Sequence, residues 1–247
     1  MKHFGYQRRF YRDWINPRDL YINHIVDKET DLQVLTNKRL DIDFFKERLH
    51  QYRWEIENYI IKDKRFLTAL KPIPVDPQAP LIIQKMAEAT KLAEVGPMAG
   101  VAGAVAEFLG KDLLKKGYKE VIIENGGDIF LKTSKRRIIQ IYTGNKKIWR
   151  GLGLKIKPQD TPLGVCTSSG TIGHSLSFGR ADTATIISKN TALADAVATA
   201  VANRVSSAQD LPKALEFARS IKGVLGVIII IGNNLISWGK VEFVRLR

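Results

Sequence analysis

The segment Cys166 to Ser175, CTSSGTIGHS, concentrates hydroxyls, glycines and a histidine within ten residues, directly after the apolar lead-in Leu163-Gly-Val. Few structural roles need that density. Glycines let backbone N–H groups converge on phosphate oxygens, and Ser and Thr hydroxyls add donors without adding charge. Thr167, Ser168, Ser169, Gly170 and Thr171 are therefore candidates to cradle an anionic, phosphate-bearing small molecule. His174 can act as general acid or base, or donate to a phosphate. A nucleophile drawn from Cys166, Ser168 or Ser169 beside His174 is the competing reading, but the chain has no G-x-S-x-G elbow. A buried cysteine in a small-residue loop is more often inert packing.

A second constellation lies in Ala194-Asp-Ala-Val-Ala-Thr, where Asp195 and Thr199 stand four residues apart. On a helix that spacing sends both side-chain oxygens from one face, about one turn apart. Magnesium prefers oxygen ligands, keeps several waters and takes only one or two protein groups alongside substrate phosphates, so the pair suits it. A surface aspartate followed by a threonine bonded back to its own helix has the same spacing. Glu124-Asn-Gly-Gly-Asp is both a good hairpin turn and a place where Gly126 and Gly127 admit a ligand to the backbone. In the second case Asn125 or Asp128 would read a base or ribose. Gly96-Pro-Met-Ala-Gly-Val-Ala-Gly-Ala-Val-Ala-Glu opens a helix whose free N–H groups can bind an anion, though close helix packing explains its small residues equally well. It lacks the G-K-[ST] ending of a P-loop.

These groups need elements to hold them. Leu20–Val26 and Leu32–Leu35, around the polar turn Asp27–Asp31, predict an antiparallel hairpin. Ile42, Phe45, Leu49, Tyr52, Ile56 and Tyr59 recur at helical spacing after Asp41 and form a core stripe. The proline-rich stretch Leu70–Pro80 stops helix propagation and marks a candidate subdomain seam near 70–80. Helices are expected over Leu81–Glu94, Pro97–Lys116, Ala192–Arg204 and Pro212–Ile221. Strands are expected over Glu120–Glu124, Asp128–Lys132, Arg137–Tyr142, Gly151–Ile156, Thr185–Ser188, Leu225–Ile231, Leu235–Trp238 and Val241–Leu246. Strands in runs beside segregated helices predict an α+β fold with a mostly antiparallel or mixed sheet.

The 247 residues, 45% of them hydrophobic, can bury a sizeable core. One cysteine excludes an intrachain disulfide framework and a multi-thiolate zinc site. The longest apolar run, Val224–Gly232, is far short of a membrane span, and the N-terminus does not read as a signal peptide, so a soluble cytoplasmic protein is expected. A net charge of +14 calls for an anionic partner. Nine basic residues and no acid lie between Asp128 and Asp160: Lys132, Lys135, Arg136, Arg137, Lys146, Lys147, Arg150, Lys155 and Lys157. They read as a solvated strand edge first, then as a surface steering an anionic ligand or nucleic acid. RNA is the weaker partner, since no known motif is present and only Tyr142 and Trp149 supply aromatics there.

The order VGPMAGVAGAVAE, ENGGDI, GVCTSSGTIGHSLSFGRAD and ALADAVATAVAN resembles the uncharacterised ApbE-like proteins, related to FAD:protein FMN transferases, from about Leu20 onward. The resemblance implies an ApbE-like (T-fold-like) α+β domain over 1–247, with helices packed on a mostly antiparallel or mixed sheet. It also implies magnesium held by the Ala99 carbonyl, Asp195 and Thr199, with FAD or FMN as substrate or ligand. His174 matches a family histidine, and His174 and Asp195 become the catalytic candidates. The transferases follow that histidine with Asp-Pro and Thr-Gly, whereas this chain continues Ser175-Leu-Ser-Phe-Gly-Arg; Asp182 is the candidate to replace the lost carboxylate. The expectation is a magnesium-dependent enzyme acting on a flavin or nucleotide pyrophosphate, with a non-catalytic flavin or nucleotide binder as the alternative and a basic RNA-binding protein third. A homo-oligomer stays open.

Overall fold

The computed structural model describes residues 19–141, 143, 147–169 and 179–246. Strands β1 (Tyr21–Asp27) and β2 (Thr30–Thr36) form the expected antiparallel hairpin. Helix α1 (Ile42–Lys62) starts where the Asp41 carboxylate accepts the Phe44 N–H at 3.2 Å, and it buries Phe45, Leu49, Tyr52, Ile56 and Tyr59. That is the stripe read from spacing. A short helix α2 (Arg65–Thr68) follows, and the proline-rich stretch then folds back on α1, the Asp76 N–H donating to the Tyr59 hydroxyl at 3.1 Å.

Helix α3 (Leu81–Leu92) leads to a 3-10 turn, Pro97–Gly100, and then α4 (Val101–Lys115). The single helix expected from Pro97 thus opens on a tighter turn. Next come β3 (Val121–Asn125), β4 (Asp128–Lys132), β5 (Arg137–Gln140), β6 (Leu152–Ile156), β7 (Leu163–Ser168) and β8 (Thr183–Ser188). Helices α5 (Thr191–Asn203) and α6 (Leu211–Ser220) precede β9 (Val224–Ile231), β10 (Asn234–Gly239) and β11 (Phe243–Arg245).

Eight strands form one sheet in the order β1-β2-β3-β4-β7-β8-β9-β10, and β11-β6-β5 form a second. Every ladder between them is antiparallel, so the expected α+β class holds and its mixed-sheet variant does not. Alternation sets the faces. Val121, Ile123, Phe130, Cys166, Ile186, Val227 and Ile229 meet the helices, while Leu131, Val165, Ile187, Ile228 and Ile230 meet Leu154 and Ile156 of the small sheet. The central strands of the large sheet are therefore covered on both faces, while the edge strands β1 and β10 are largely exposed. Helix α5 lies within the helical layer with nearly all its residues buried, which is why it is apolar around its circumference rather than striped.

Two expectations shift. Cys166, Thr167 and Ser168 belong to the central strand β7 and not to a loop, because Val165 and Cys166 carry the inward and outward pattern of a strand buried on both sides. The last strand, expected at Val241–Leu246, is the shorter β11, and it pairs with β6 in the small sheet.

Phe130, 1% exposed, is wedged between β4 and α4, where a Cβ on Gly110 would come within 2.1 Å of its ring. Phe130→Ala should destabilise the fold by about 3–5 kcal/mol, measured by urea unfolding, because the ring fills space that the packed helix cannot collapse into.

Candidate active site

The β3–β4 turn is a two-residue hairpin in which Gly126 (φ 69°) and Gly127 (φ 104°) both adopt left-handed backbone, as a type I′ turn requires. Glu124 Oε1 accepts the Gly127 N–H at 2.8 Å and locks it. The turn sets Asn125 and Asp128 opposite one another, and Asp128 opposite Cys166. Continuing the register gives a row across the helix-facing side of the sheet: Leu32, Asn125, Asp128, Cys166, Ile186 and Val227. Two polar side chains thus interrupt an otherwise apolar row.

Asp195 comes down on this row from α5. Its Oδ2 accepts the Gly103 N–H at 2.9 Å, and its carboxylate also takes the Ala102 N–H, so it caps the first turn of α4, whose own start has no side-chain cap. Asn125 Nδ2 donates to the Ala102 carbonyl at 3.2 Å from the sheet side. The contact is possible only because residue 103 is glycine: a Cβ there would meet Thr191 O at 2.4 Å and Asp195 Cβ at 2.8 Å. Small residues at the helix opening therefore do serve close packing.

Burial pushes the Asp195 carboxyl up to about 7, against the lowering pull of the Gly103 and Ala102 N–H groups. Burial likewise holds Asp128 well above the usual carboxylate range, reinforced by the charges of Asp195 and Glu124 and opposed by the Cys166 thiol and the Thr167 N–H. Burial, then Asp128 and Asp195, raise the Cys166 thiol. A thiol held neutral in this way is a structural group bonded to Thr191 O at 3.4 Å, which removes the cysteine-nucleophile reading.

Thr199 stands one turn beyond Asp195, half-buried. Its hydroxyl makes no hydrogen bond among the described residues, whereas Thr90 bonds back to Met86 O at 2.8 Å. Ala99 lies in the 3-10 turn before α4, which packs against α5, and a Cβ on the adjoining Gly100 would reach Ala192 O at 3.1 Å. Asp195, Thr199 and Ala99 thus sit on touching elements. Among the described residues no group of three or more His, Cys, Asp and Glu side chains is arranged for a metal, so a cation here would rely on one carboxylate, a hydroxyl, a main-chain carbonyl and water. That oxygen-only donor set fits magnesium.

The remaining candidates divide. Thr167 Oγ1 bonds to Thr185 Oγ1 at 2.9 Å on the opposite face of the sheet, so only its backbone serves the Asp128 side. Ser168 is in phase with Cys166 on the helix face, and Ser169 follows the strand end. Gly170, Thr171 and His174 lie outside the described residues. Asp182 is committed at the β9–β10 turn, accepting the Gly232 N–H at 2.6 Å. The free N–H groups expected at the opening of α4 include those of Ala102 and Gly103, and both are taken by the Asp195 carboxylate of the chain itself.

Part of the basic run is paired with acids from elsewhere. Arg137 bridges Asp19 at 2.9 Å and Glu120 at 2.7 Å, Lys135 meets Asp19 at 2.9 Å, and Lys157 meets Glu242 at 2.8 Å. Trp149 anchors through its indole N–H to Gly232 O at 2.9 Å and packs partly buried against the core between the two sheets. Strands β5 and β6 lie in the small sheet, across the large one from α4 and α5.

Helices on one face of an eight-stranded antiparallel sheet and a small sheet on the other are the architecture of the ApbE fold. The flavin transferase ApbE from Vibrio cholerae superposes with a TM-score of 0.59 at 12% identity, covering 89% of this chain and 97% of that one. The ApbE protein of Thermotoga maritima gives 0.59 at 11%, covering 88% and 96%. In sequence, the UPF0280 protein of Methanococcus aeolicus is 40% identical over 217 residues, 86% of this chain and 88% of the relative. That of Methanocaldococcus jannaschii is 40% identical over 222 residues, covering 88% and 90%. The chain belongs to the family described as AbpE bacteria, which it matches over residues 12–235. Among the described residues no single helix is long and apolar enough to cross a membrane.

Two outcomes follow. Gly103→Ala should cost about 1–3 kcal/mol in urea unfolding, since the helices must part to admit a methyl. The pH response has a definite sign: with Asp195 raised to about 7 from an ordinary 3.8, the folded state holds a proton that the unfolded chain has lost between those values. The metal-free protein should therefore lose stability as pH rises through that window, and Asp195→Asn should flatten the decline in urea midpoints.

Proposed function

We propose that this protein is a magnesium-dependent enzyme acting on a flavin nucleotide pyrophosphate, of the FAD:protein FMN transferase type. The observation that carries the reading is Asp195: a buried carboxylate beside a second one, Asp128, with, among the described residues, no cationic side chain against it and no hydrogen-bond partner for the Thr199 hydroxyl one turn away. In a dry site two such carboxyls ionise together only beside a cation.

The Ala99 carbonyl, Asp195 and Thr199 would hold the ion, and Asp128 would add its charge from the sheet. When bound, magnesium neutralises pyrophosphate oxygens and stabilises charge on the leaving phosphate. The Gly126-Gly127 turn, open on one side, and the β7 end with Ser168 and Ser169 would place the pyrophosphate against it. His174 would hold or release the proton of the attacking hydroxyl; as that oxygen bonds to the flavin-side phosphorus, the phosphoanhydride breaks and AMP leaves. The Vibrio cholerae protein that shares this fold is a flavin transferase, which supports the substrate class.

Incubating the protein with FAD and magnesium and following AMP or FMN release tests the reading. Turnover should fall at least about a hundredfold in Asp195→Asn, the scale on which losing transition-state charge stabilisation acts. Flavin binding by the wild type without any turnover would instead identify a flavin-binding protein, the reading that the altered residues after His174 favour.

A further inference from the structure

The large sheet ends in β1, and among the described residues no strand pairs with its outer edge. Proteins blunt such an edge with lysines, a proline, a bulge or a very short strand. β1 has none of these: it is seven residues long, keeps an unbroken register with β2 and contains no Lys, Arg or Pro. Its exposed large side chains are apolar, with Tyr21 56%, Ile22 41% and Val26 55% exposed. At the opposite edge, β10 contributes one exposed large apolar side chain, Trp238. We infer that β1 is a dimerisation strand, pairing antiparallel with β1 of a second copy of this chain about a two-fold axis at His24.

The backbone sets that register. Lys28 and Glu29 form a two-residue turn, so Asp27 and Thr30 are a hydrogen-bonded pair, and Ile25, Asn23 and Tyr21 repeat the pairing with β2. The N–H and C=O groups of Ile22, His24 and Val26 therefore point away from β2, to the open edge. Pairing about His24 sets Ile22 opposite Val26 of the second copy, His24 opposite His24, and Val26 opposite Ile22. The residues that carry the outward groups are the ones that meet, so every one of those groups gains a partner.

The side chains agree with it. Ile22, His24 and Val26 share one face of the strand, so the exposed Ile22 and Val26 of each copy form a cross-strand apolar pair, twice over by symmetry. On the other face Tyr21 meets Asp27 and Asn23 meets Ile25. No carboxylate meets a carboxylate across the axis. Each His24 is turned back to its own β2, with Nε2 2.6 Å from Asp31 Oδ1.

The start of the chain leads away from this edge. Asp19 is held by Arg137 and Lys135, both at 2.9 Å, and Arg137 also binds Glu120, the residue before β3. The connection into β1 thus comes from the β3 side of the sheet end, which leaves the outer edge open to a second molecule.

Light scattering coupled to size exclusion tests the inference without reference to turnover. The wild type should have about twice the 27.8 kDa mass of one chain. Val26→Lys should weaken association at least about tenfold, because symmetry applies the change twice and sets an ammonium against Ile22. Thermal melting should show that variant folded, since Val26 is exposed. Trp238→Lys, on the opposite edge, should leave association unchanged. Under mild oxidation Ile22→Cys/Val26→Cys should give a cross-linked dimer, because opposite residues lie within disulfide reach, whereas Asn23→Cys should not, its two copies being offset along the strands. Cys166 is buried and does not compete. A wild type still monomeric at about 0.1 mM, association untouched by Val26→Lys, or ready cross-linking through Asn23→Cys would each overturn the inference. The first of these is also the result expected if residues 1–18 of the same chain close the edge.

Discussion

Helices α4 and α5 cap one another. Asp195 of α5 accepts the Gly103 N–H at the start of α4, and Glu107 of α4 accepts the Thr191 N–H at the start of α5. In each helix the donor and the acceptor are four residues apart, so one turn of each faces one turn of the other. Neither helix start could be buried this deeply with its free N–H groups unsatisfied. Hydrogen bonds to a charged acceptor contribute about 1.5–3 kcal/mol each, and the pair fixes the relative height of the helices as well as their contact. Gly103 makes the close approach possible, and the alanine-rich surface of α5 lets the rest of the seam close.

The clasp is anchored to the sheet by polar atoms in an apolar row. Asn125 takes the Ala102 carbonyl, and the Cys166 thiol reaches Thr191 O, so the helix pair is located along the strands as well as above them. The Gly126-Gly127 turn matters for the same reason: its left-handed residues bring Asn125 and Asp128 into register at the sheet end. The residues of the proposed site are therefore also the ones that hold the helix pair on the sheet.

Much of this was legible in the sequence. The α1 stripe, the β1–β2 hairpin, the N-G-G-D turn and α5 each carry a local periodicity or turn signature, and each formed close to its expected limits. Cys166 to Ser168 was harder, because glycine and hydroxyl density resembles a loop when a strand is buried on both faces and pairs on both edges. Thr167 illustrates the cost: alternation sends its hydroxyl to the far face, and nothing local shows which face a ligand would occupy. The basic run looked like a continuous surface because its counter-ions, Asp19, Glu120 and Glu242, are distant in sequence. Asp128 was the exception that could have been read further, since it is in phase with Phe130 on β4 and must therefore point toward the helices.

The two caps are alike in geometry and opposite in charge balance, and this difference separates structure from function at the seam. Glu107 is neutralised by Lys111 one turn later on its own helix. Asp195 has Thr199 at the corresponding distance, a hydroxyl in place of an ammonium, and faces the second buried carboxylate of Asp128 instead of a cation. The partial positive charge of a helix N-terminus is about half an elementary charge, too little to keep both carboxylates ionised, and both are accordingly held above the usual carboxylate range. Were Asp195 only a cap, a cation such as that beside Glu107 would stabilise it more fully. Its position leaves the carboxyl beside a neutral oxygen donor and a second carboxyl, with no cationic side chain against it among the described residues, and that is the feature on which the proposed cation site rests.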